Sequence, residues 1–193
     1  MASQSSQDEV PVVALDYGYL GDREDANPII CGHDSEDKWF YGLVVESKGA
    51  SQQYAWKELA EQIGRAGHPK LSIQTDNEPA IIALKEAVIK YLTQHFGQKV
   101  IDRGARLKDS QANGRAEMAV REVKAKSRVF WQQVKDRMGL ELSPSDECLT
   151  WLVSYASLSI CLGRRGQDGL TAYRQVWERI QKRIALLGRE RDV

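Results

Sequence analysis

Three acidic residues stand where a carboxylate does more than solubilise a surface. Asp16 closes the short apolar run VPVVAL (residues 10–15), Asp76 follows LSIQ and Thr75, and Glu117 lies just beyond Asn113-Gly114 where a helical pattern begins. If the two runs are neighbouring strands, both aspartates emerge at one edge of the sheet, where α/β proteins commonly hold ligands. Three carboxylates converging from separate elements repel one another unless a divalent cation sits between them, so the arrangement predicts metal binding by hard oxygen ligands. Singly, each acid has an ordinary explanation, two as turn residues and one as a Glu favoured by a helix dipole. Their combination is what points to chemistry.

The elements that must place these acids are readable in the apolar periodicity. Residues 10–15 are too brief for a helix and suit a strand buried on both faces. Residues 28–31 and 39–45 (WFYGLVV) form β-rich runs around a charged turn at Asp34, Glu36 and Asp37, an antiparallel hairpin. Ser51 is expected to cap an amphipathic stretch through Tyr54, Leu59 and Ile63, and residues 71–74 form another strand. Pro79 opens a periodic helix with Ile81, Leu84, Val88, Tyr91 and Leu92 on one stripe, and Gly97 supplies its stop. Residues 99–101 make a fifth strand and residues 102–113 a polar segment. Gly114 serves as the turn from which a helix to about Met138 starts abruptly. Two further helices follow, one opened by Ser143-Pro144 and one capped by Thr171. The order β-β-β-α-β-α-β-α-α-α predicts an α/β protein with a five-stranded mixed sheet flanked by helices. The organisation is a polar extension (residues 1–9), a core (10–179) and a charged helix or tail (180–193).

The motifs VVALDY, IQTDNEPAI and SQANGRAEMAVREVK together resemble the catalytic core of retroviral and retrotransposon integrases, the Asp, Asp, Glu group with a ribonuclease H-like fold. The resemblance runs from about residue 12 to residue 177 and continues in GQDGLTAYRQVW. Its most specific part is Asn113-Gly114-Arg115-Ala116-Glu117, similar to the family's Asn-Gly-x-x-Glu. The chain departs from the family in having 40 residues between Asp76 and Glu117 and Asn77-Glu78 after Asp76. The resemblance implies that Asp16, Asp76 and Glu117 are catalytic and hold two Mg²⁺ or Mn²⁺ ions, roughly 3.5–4 Å apart, for cleavage and strand transfer of DNA. It implies retroelement ends and target DNA as partners, and a homodimer or higher oligomer. The setting it implies is the nucleus or a cytoplasmic nucleoprotein complex, and the chain an excised core or relic fragment. Two alternatives stand beside it. A ribonuclease H-like nuclease proper uses a fourth carboxylate, and a catalytically inactive nucleic-acid-binding domain has no reason to keep all three acids.

Spacing supports a nucleic-acid face independently. Four, seven and eleven residues beyond Glu117 stand Arg121, Lys124 and Arg128, a basic stripe at helical spacing that by itself equally suits a solvated charged face paired with Glu122 and Asp136. Arg103, Arg106, Lys108 and Arg115 add charge to the flanking segment, where Ser110, Gln111 and Asn113 offer hydrogen bonds to phosphate or bases. The formal net charge of zero argues against such a partner only on average. Residues 1–99 carry 9 basic and 15 acidic residues, whereas residues 100–193 carry 18 and 12.

A hydrophobic fraction of 42% with 28% charged residues excludes a disordered tail, a collagen or a coiled coil. No window reaches the ~18 uninterrupted apolar residues of a membrane span. Cys31, Cys148 and Cys161 read as buried free thiols, and His33, His68 and His95 as single residues without zinc spacing. The five tryptophans read as core or dimer contacts, with the faces near Trp131 and Trp151 as candidate interfaces. No Ser or Tyr nucleophile with a positioned base is visible.

Overall fold

A parallel ladder at the centre of one sheet organises the chain. The computed structural model describes residues 10–21, 27–104, 110–139, 141, 143 and 146–189. Its elements are β1 (Val12–Tyr19), β2 (Pro28–Asp34), β3 (Phe40–Val44), α1 (Gln53–Arg65), β4 (Lys70–Gln74), α2 (Pro79–Phe96), β5 (Lys99–Arg103), α3 (Ser110–Met138), α4 (Cys148–Gly163) and α5 (Ala172–Arg189). The strands lie in the order β3-β2-β1-β4-β5, with β2 antiparallel to both β1 and β3, and β4 parallel to both β1 and β5. The α/β class, the mixed five-stranded sheet and the flanking helices agree with the ribonuclease H-like expectation. No helix among the described residues is long and apolar enough to cross a membrane.

Strand alternation sorts the side chains into two cores. Val13, Leu15 and Tyr17 of β1 face one way, with Ile30, Tyr41 and Leu43, and are covered by Leu59 and Ile63 of α1 and by Ile81, Leu84 and Val88 of α2. The opposite face carries Ile29, Cys31 and Phe40 and is covered by Ala119 and Val123 of α3 and Leu152 and Val153 of α4. Small residues let these helices sit close. A Cβ on Gly18 would stand 2.5 Å from Val120 Cγ1, and one on Gly42 would stand 3.1 Å from Ser157 Cβ.

Several boundaries differ from the sequence expectation. β1 does not stop at Asp16 but continues to Tyr19, because its antiparallel pairing with β2 runs from Val13↔Asp34 to Tyr19↔Pro28. Its parallel pairing with β4 ends earlier, at Ala14↔Gln74. Gly114 is no turn: α3 begins at Ser110 and passes through it, with open space where a side chain would be. One helical glycine costs about 1 kcal/mol against alanine, which the packing of so long a helix overrides. Ser51 does not cap α1. Gln52 holds the N-cap position, its Oε1 accepting from the Glu46 amide at 2.8 Å, while Ser51 meets Ser47. α4 begins at Cys148, which is exposed rather than buried; Cys31 and Cys161 are buried. Thr171 does cap α5, its Oγ1 accepting from the Arg174 amide at 3.3 Å.

A buried ionic cluster fastens α5 to the far end of the sheet. Asp34 accepts the amides of Glu36 and Asp37 on Oδ1 and meets His68 Nε2 at 2.8 Å on Oδ2. Arg179 Nη1 donates to Asp37 Oδ2 at 2.6 Å and to the Ala66 carbonyl at 3.0 Å, and Nη2 reaches Asp37 Oδ1 and Glu36. Burial alone would lower the pKa of His68, but hydrogen bonds to Asp34 and Asp37 prevail and raise it to about 9. Burial would likewise raise Asp34, yet hydrogen bonds from His68 and the turn amides hold it below the ordinary range. The stabilisation from His68 is therefore complete below its ordinary pKa of 6.5 and is lost as pH rises through about 9. That from Asp34 is present at neutral pH and lost in acid. Urea midpoints of the wild type should fall between pH of about 6.5 and about 9, and this fall should vanish in His68→Gln. Arg179→Met, which strands buried acids, should cost about 3–5 kcal/mol. A flat alkaline profile in the wild type would refute the account.

Candidate functional site

The early end of the β1–β4 ladder creates the site. Asp16 lies two residues past the last parallel pair, on the even-numbered face of β1 that α3 covers. Beyond Gln74, β4 gives way to Thr75 and Asp76. Thr75 Oγ1 donates to the Asp76 carbonyl at 3.1 Å, and Asp76 Oδ1 accepts the Glu78 amide at 3.2 Å, an Asx-type turn that holds the carboxylate at the sheet edge. Glu117, exposed and next to buried Ala116, projects from α3 toward the same place. Asp16, Asp76 and Glu117 line one cleft of about 80 Å³ with Leu15, Gln74, Thr75 and Ala116. Several water volumes fit such a space at roughly 10–15 Å³ each.

The electrostatics match the crowding of like charges. Burial raises the pKa of Asp16, and the negative charges of Asp76, Glu117 and Glu78 add to the rise, while a 2.7 Å hydrogen bond from the Tyr17 amide opposes it. The donor set is three carboxylates, the chemistry that Mg²⁺ or Mn²⁺ selects. Their oxygens spread more widely than those of the tightest cluster of ligating atoms among the described residues, Asp34, Asp37 and His68, which fall within 4.8 Å. That tighter cluster already has its cation in the guanidinium of Arg179. Glu78, the fourth acid near Asp16, is neutralised by Lys48 at 2.8 Å, and Lys48 lies over the Tyr17 ring at 5.1 Å.

The three cations of the basic stripe all lie on α3 and differ in their surroundings. Arg121 is exposed on α3, with Glu122 at 4.0 Å, and Lys124 is half-buried. Arg128 is exposed as well, and one of its Nη2 hydrogens is donated to the Leu20 carbonyl, just past the end of β1, at 3.2 Å. Arg115 lies on the other side of α3, in a second cleft with Met118 and His33. Arg103 is exposed at the end of β5. Arg106 and Lys108 lie outside the described residues, as do the side chains of Gln111 and Asn113, whose backbone belongs to α3.

No family model matches this chain, and no curated protein matches it. The site thus stands on its own geometry. Sequence reasoning found the three acids but not their neighbours. Gln74 and Thr75 line the cleft simply by adjoining Asp76, and Lys48, from the loop after β3, pairs with Glu78 beyond the turn, for which a lone lysine gives no sequence signal.

A carboxyl whose pKa is raised in the fold opposes folding once it ionises, so stability falls as pH rises above the ordinary aspartate range. Asp16→Asn should therefore raise the melting temperature at neutral pH in chelator and flatten this slope. Mg²⁺ or Mn²⁺ should stabilise the wild type, by about 2.7 kcal/mol at a hundredfold excess over Kd, and should not stabilise an Asp16→Asn/Asp76→Asn variant. Differential scanning calorimetry reads both, and equal metal responses in the two proteins would dismiss the cleft as a cation site.

Proposed function

We propose that this chain is a metal-dependent polynucleotidyl transferase of the integrase type, which cleaves and joins DNA strands in the integration of a retroelement. The observation that carries this reading is the common cleft of Asp16, Asp76 and Glu117 at the edge of a ribonuclease H-like sheet. Two Mg²⁺ or Mn²⁺ ions bound there would supply Lewis-acid stabilisation of the attacking and leaving oxygens of an in-line displacement at phosphorus. The chain itself contributes placement. Asp16 is fixed by its strand and by the Tyr17 amide, Asp76 by its turn, and Glu117 by a helix whose Val120 lies against Gly18. Arg121 and Lys124, one and two turns beyond Glu117, are set to meet the backbone phosphates of the substrate. The nucleophile is water in strand nicking and a DNA 3′-hydroxyl in strand transfer. The setting is accordingly the nucleus or a cytoplasmic nucleoprotein complex.

A second copy of the chain is the partner we assign to α4. Trp151, Tyr155, Leu158 and Leu162, exposed by 64, 44, 37 and 48%, repeat at i, i+4, i+7 and i+11 and so form one apolar stripe. The rings of Trp151 and Tyr155 stack at 5.1 Å. Apolar surface this continuous marks an interaction face.

Nicking and disintegration of branched DNA in Mg²⁺ or Mn²⁺ should fall by a factor on the order of 10² or more in Glu117→Gln and Asp76→Asn, the scale of losing one electrostatic contributor to a transition state. Undiminished activity in either variant would sink the assignment. Absence of activity in all three proteins, with DNA binding intact, would favour a binding domain. Sedimentation should give a dimer that Leu158→Glu converts to a monomer; a wild-type monomer at micromolar concentration would remove the α4 interface.

A further inference from the structure

On the opposite side of α3 from the carboxylates lies a larger cleft, of about 680 Å³, between the start of α3, the β2–β3 turn and the loop joining α4 to α5. Four cations line it, Lys38, Arg115, Arg164 and Arg165, against two carboxylates, Glu36 and Asp168. Both carboxylates are already engaged. Glu36 accepts from Arg179, and Asp168 accepts from the Leu170 amide at 3.0 Å and from Gln175 at 2.7 Å. Among the described residues, no carboxylate lies within 4.0 Å of Arg115, Arg165 or Lys38, and Arg164 has only Glu122 at 3.7 Å. Among the described residues the lining thus carries four cations against two carboxylates, an excess of positive charge.

Its wall is preformed. The loop is closed on itself by the Arg165↔Thr171 bridge, by the Gly166 amide to the Leu170 carbonyl at 2.8 Å, and by the Gly169 amide to the Gly166 carbonyl. At Gly166 a Cβ would stand 2.8 Å from Asp168 Oδ1, so a side chain there would displace that carboxylate. Arg164 is steadied over the Phe40 ring at 5.6 Å. On the wall formed by β2 stands His33, 7% exposed, whose Nδ1 is buried without a hydrogen-bond partner. A buried polar atom left orphaned is the kind of group that a ligand or its water satisfies. Burial lowers the pKa of His33 to about 4, and the charges of Lys38, Arg115 and Arg164 push the same way, while Asp34 opposes them. The imidazole is therefore neutral at physiological pH and adds no charge of its own.

We infer that this cleft is a phosphate-binding subsite for the nucleic-acid strand, holding its backbone one helix face away from the carboxylates. The inference rests on the nucleic-acid reading and adds a second contact region to it. Arg115 and Met118 point into this cleft while Ala116 and Glu117 line the other, so a single turn of α3 divides the two. A strand crossing that turn meets the carboxylates with one phosphate and the guanidinium groups with its neighbours. Guanidinium groups suit the task because their planar donors match phosphate oxygens in pairs.

The test uses the whole chain and a fluorescently labelled DNA oligonucleotide, with chelator present so that the carboxylate cleft contributes no metal. Binding read by anisotropy over a range of salt should lose about two units of log K against log [salt] slope in Arg115→Gln/Arg165→Gln, near one per cation removed. Lys70→Gln/Lys99→Gln, which removes two exposed lysines from the opposite sheet edge, should keep the wild-type slope. Independently of any variant's folding, the ¹⁵N resonances of the His33 ring in the wild type should shift on adding the oligonucleotide. DNA binding with an unshifted His33 and an unchanged slope in the Arg115/Arg165 variant overturns the subsite. Metal-dependent nicking by the wild type that Glu117→Gln abolishes would then leave the transferase reading intact. A shifted His33 and reduced slope without any nicking would keep the subsite and discard the transferase. Failure of the wild type to bind the oligonucleotide overturns both.

Discussion

The pairing of β1 with β4 is the constraint on which the rest depends. Only three residue pairs join them, ending at Ala14↔Gln74, while β1 continues beside β2 for five residues more. Past that point one edge of β1 is uncovered, and Asp16 occupies it. A longer ladder would set a further β4 residue beside Asp16 on the same face and close the gap that the cleft occupies. Because the side-chain period of a strand is two, Asp16 also falls on the face that α3 covers, and a shift of one residue would send it into the α1–α2 core. The position of Glu117 follows from the same face, since α3 lies against Gly18 through Val120.

The two cores differ in what covers them. The α1–α2 side is lined mainly by large apolar residues, Leu15, Ile30, Tyr41, Leu59, Ile63 and Leu84 among them. On the α3–α4 side, Gly18 and Gly42 let α3 and α4 approach the sheet closely. Asp16, on the even-numbered face of β1, and Glu117 of α3 belong to this second side, while the α1–α2 core packs against the other face of the sheet.

Much of this was readable from sequence, for identifiable reasons. The element order emerges because each strand is a short Val/Ile/Leu run and each helix has a strong apolar stripe, and Gly97 at φ 62° ends α2 as expected. The three acids are legible because they adjoin those runs. Boundaries set by pairing partners were not: nothing within residues 10–19 tells that β2 extends β1 beyond Asp16. Gly114 reads as a breaker locally, yet long-range packing carries α3 through it. Arg128 fits the basic stripe by spacing, and only the end of β1 in space reveals its bond to Leu20. The Asp34, Asp37, His68 and Arg179 cluster draws on residues up to 145 positions apart in sequence, beyond the reach of any motif.

That cluster also says where the folding unit ends. Apolar burial on α5 fades after Ala172 and Val176, and residues 181–185 are exposed, so by hydrophobic criteria the helix is dispensable within two turns. Arg179 sets a different limit. Two buried aspartates and a buried imidazole from the opposite end of the sheet depend on one guanidinium supplied late in the chain. The terminus of the autonomous unit is thus fixed by charge neutrality and not by surface area, and nascent chains lacking residue 179 hold an interior that is electrically incomplete.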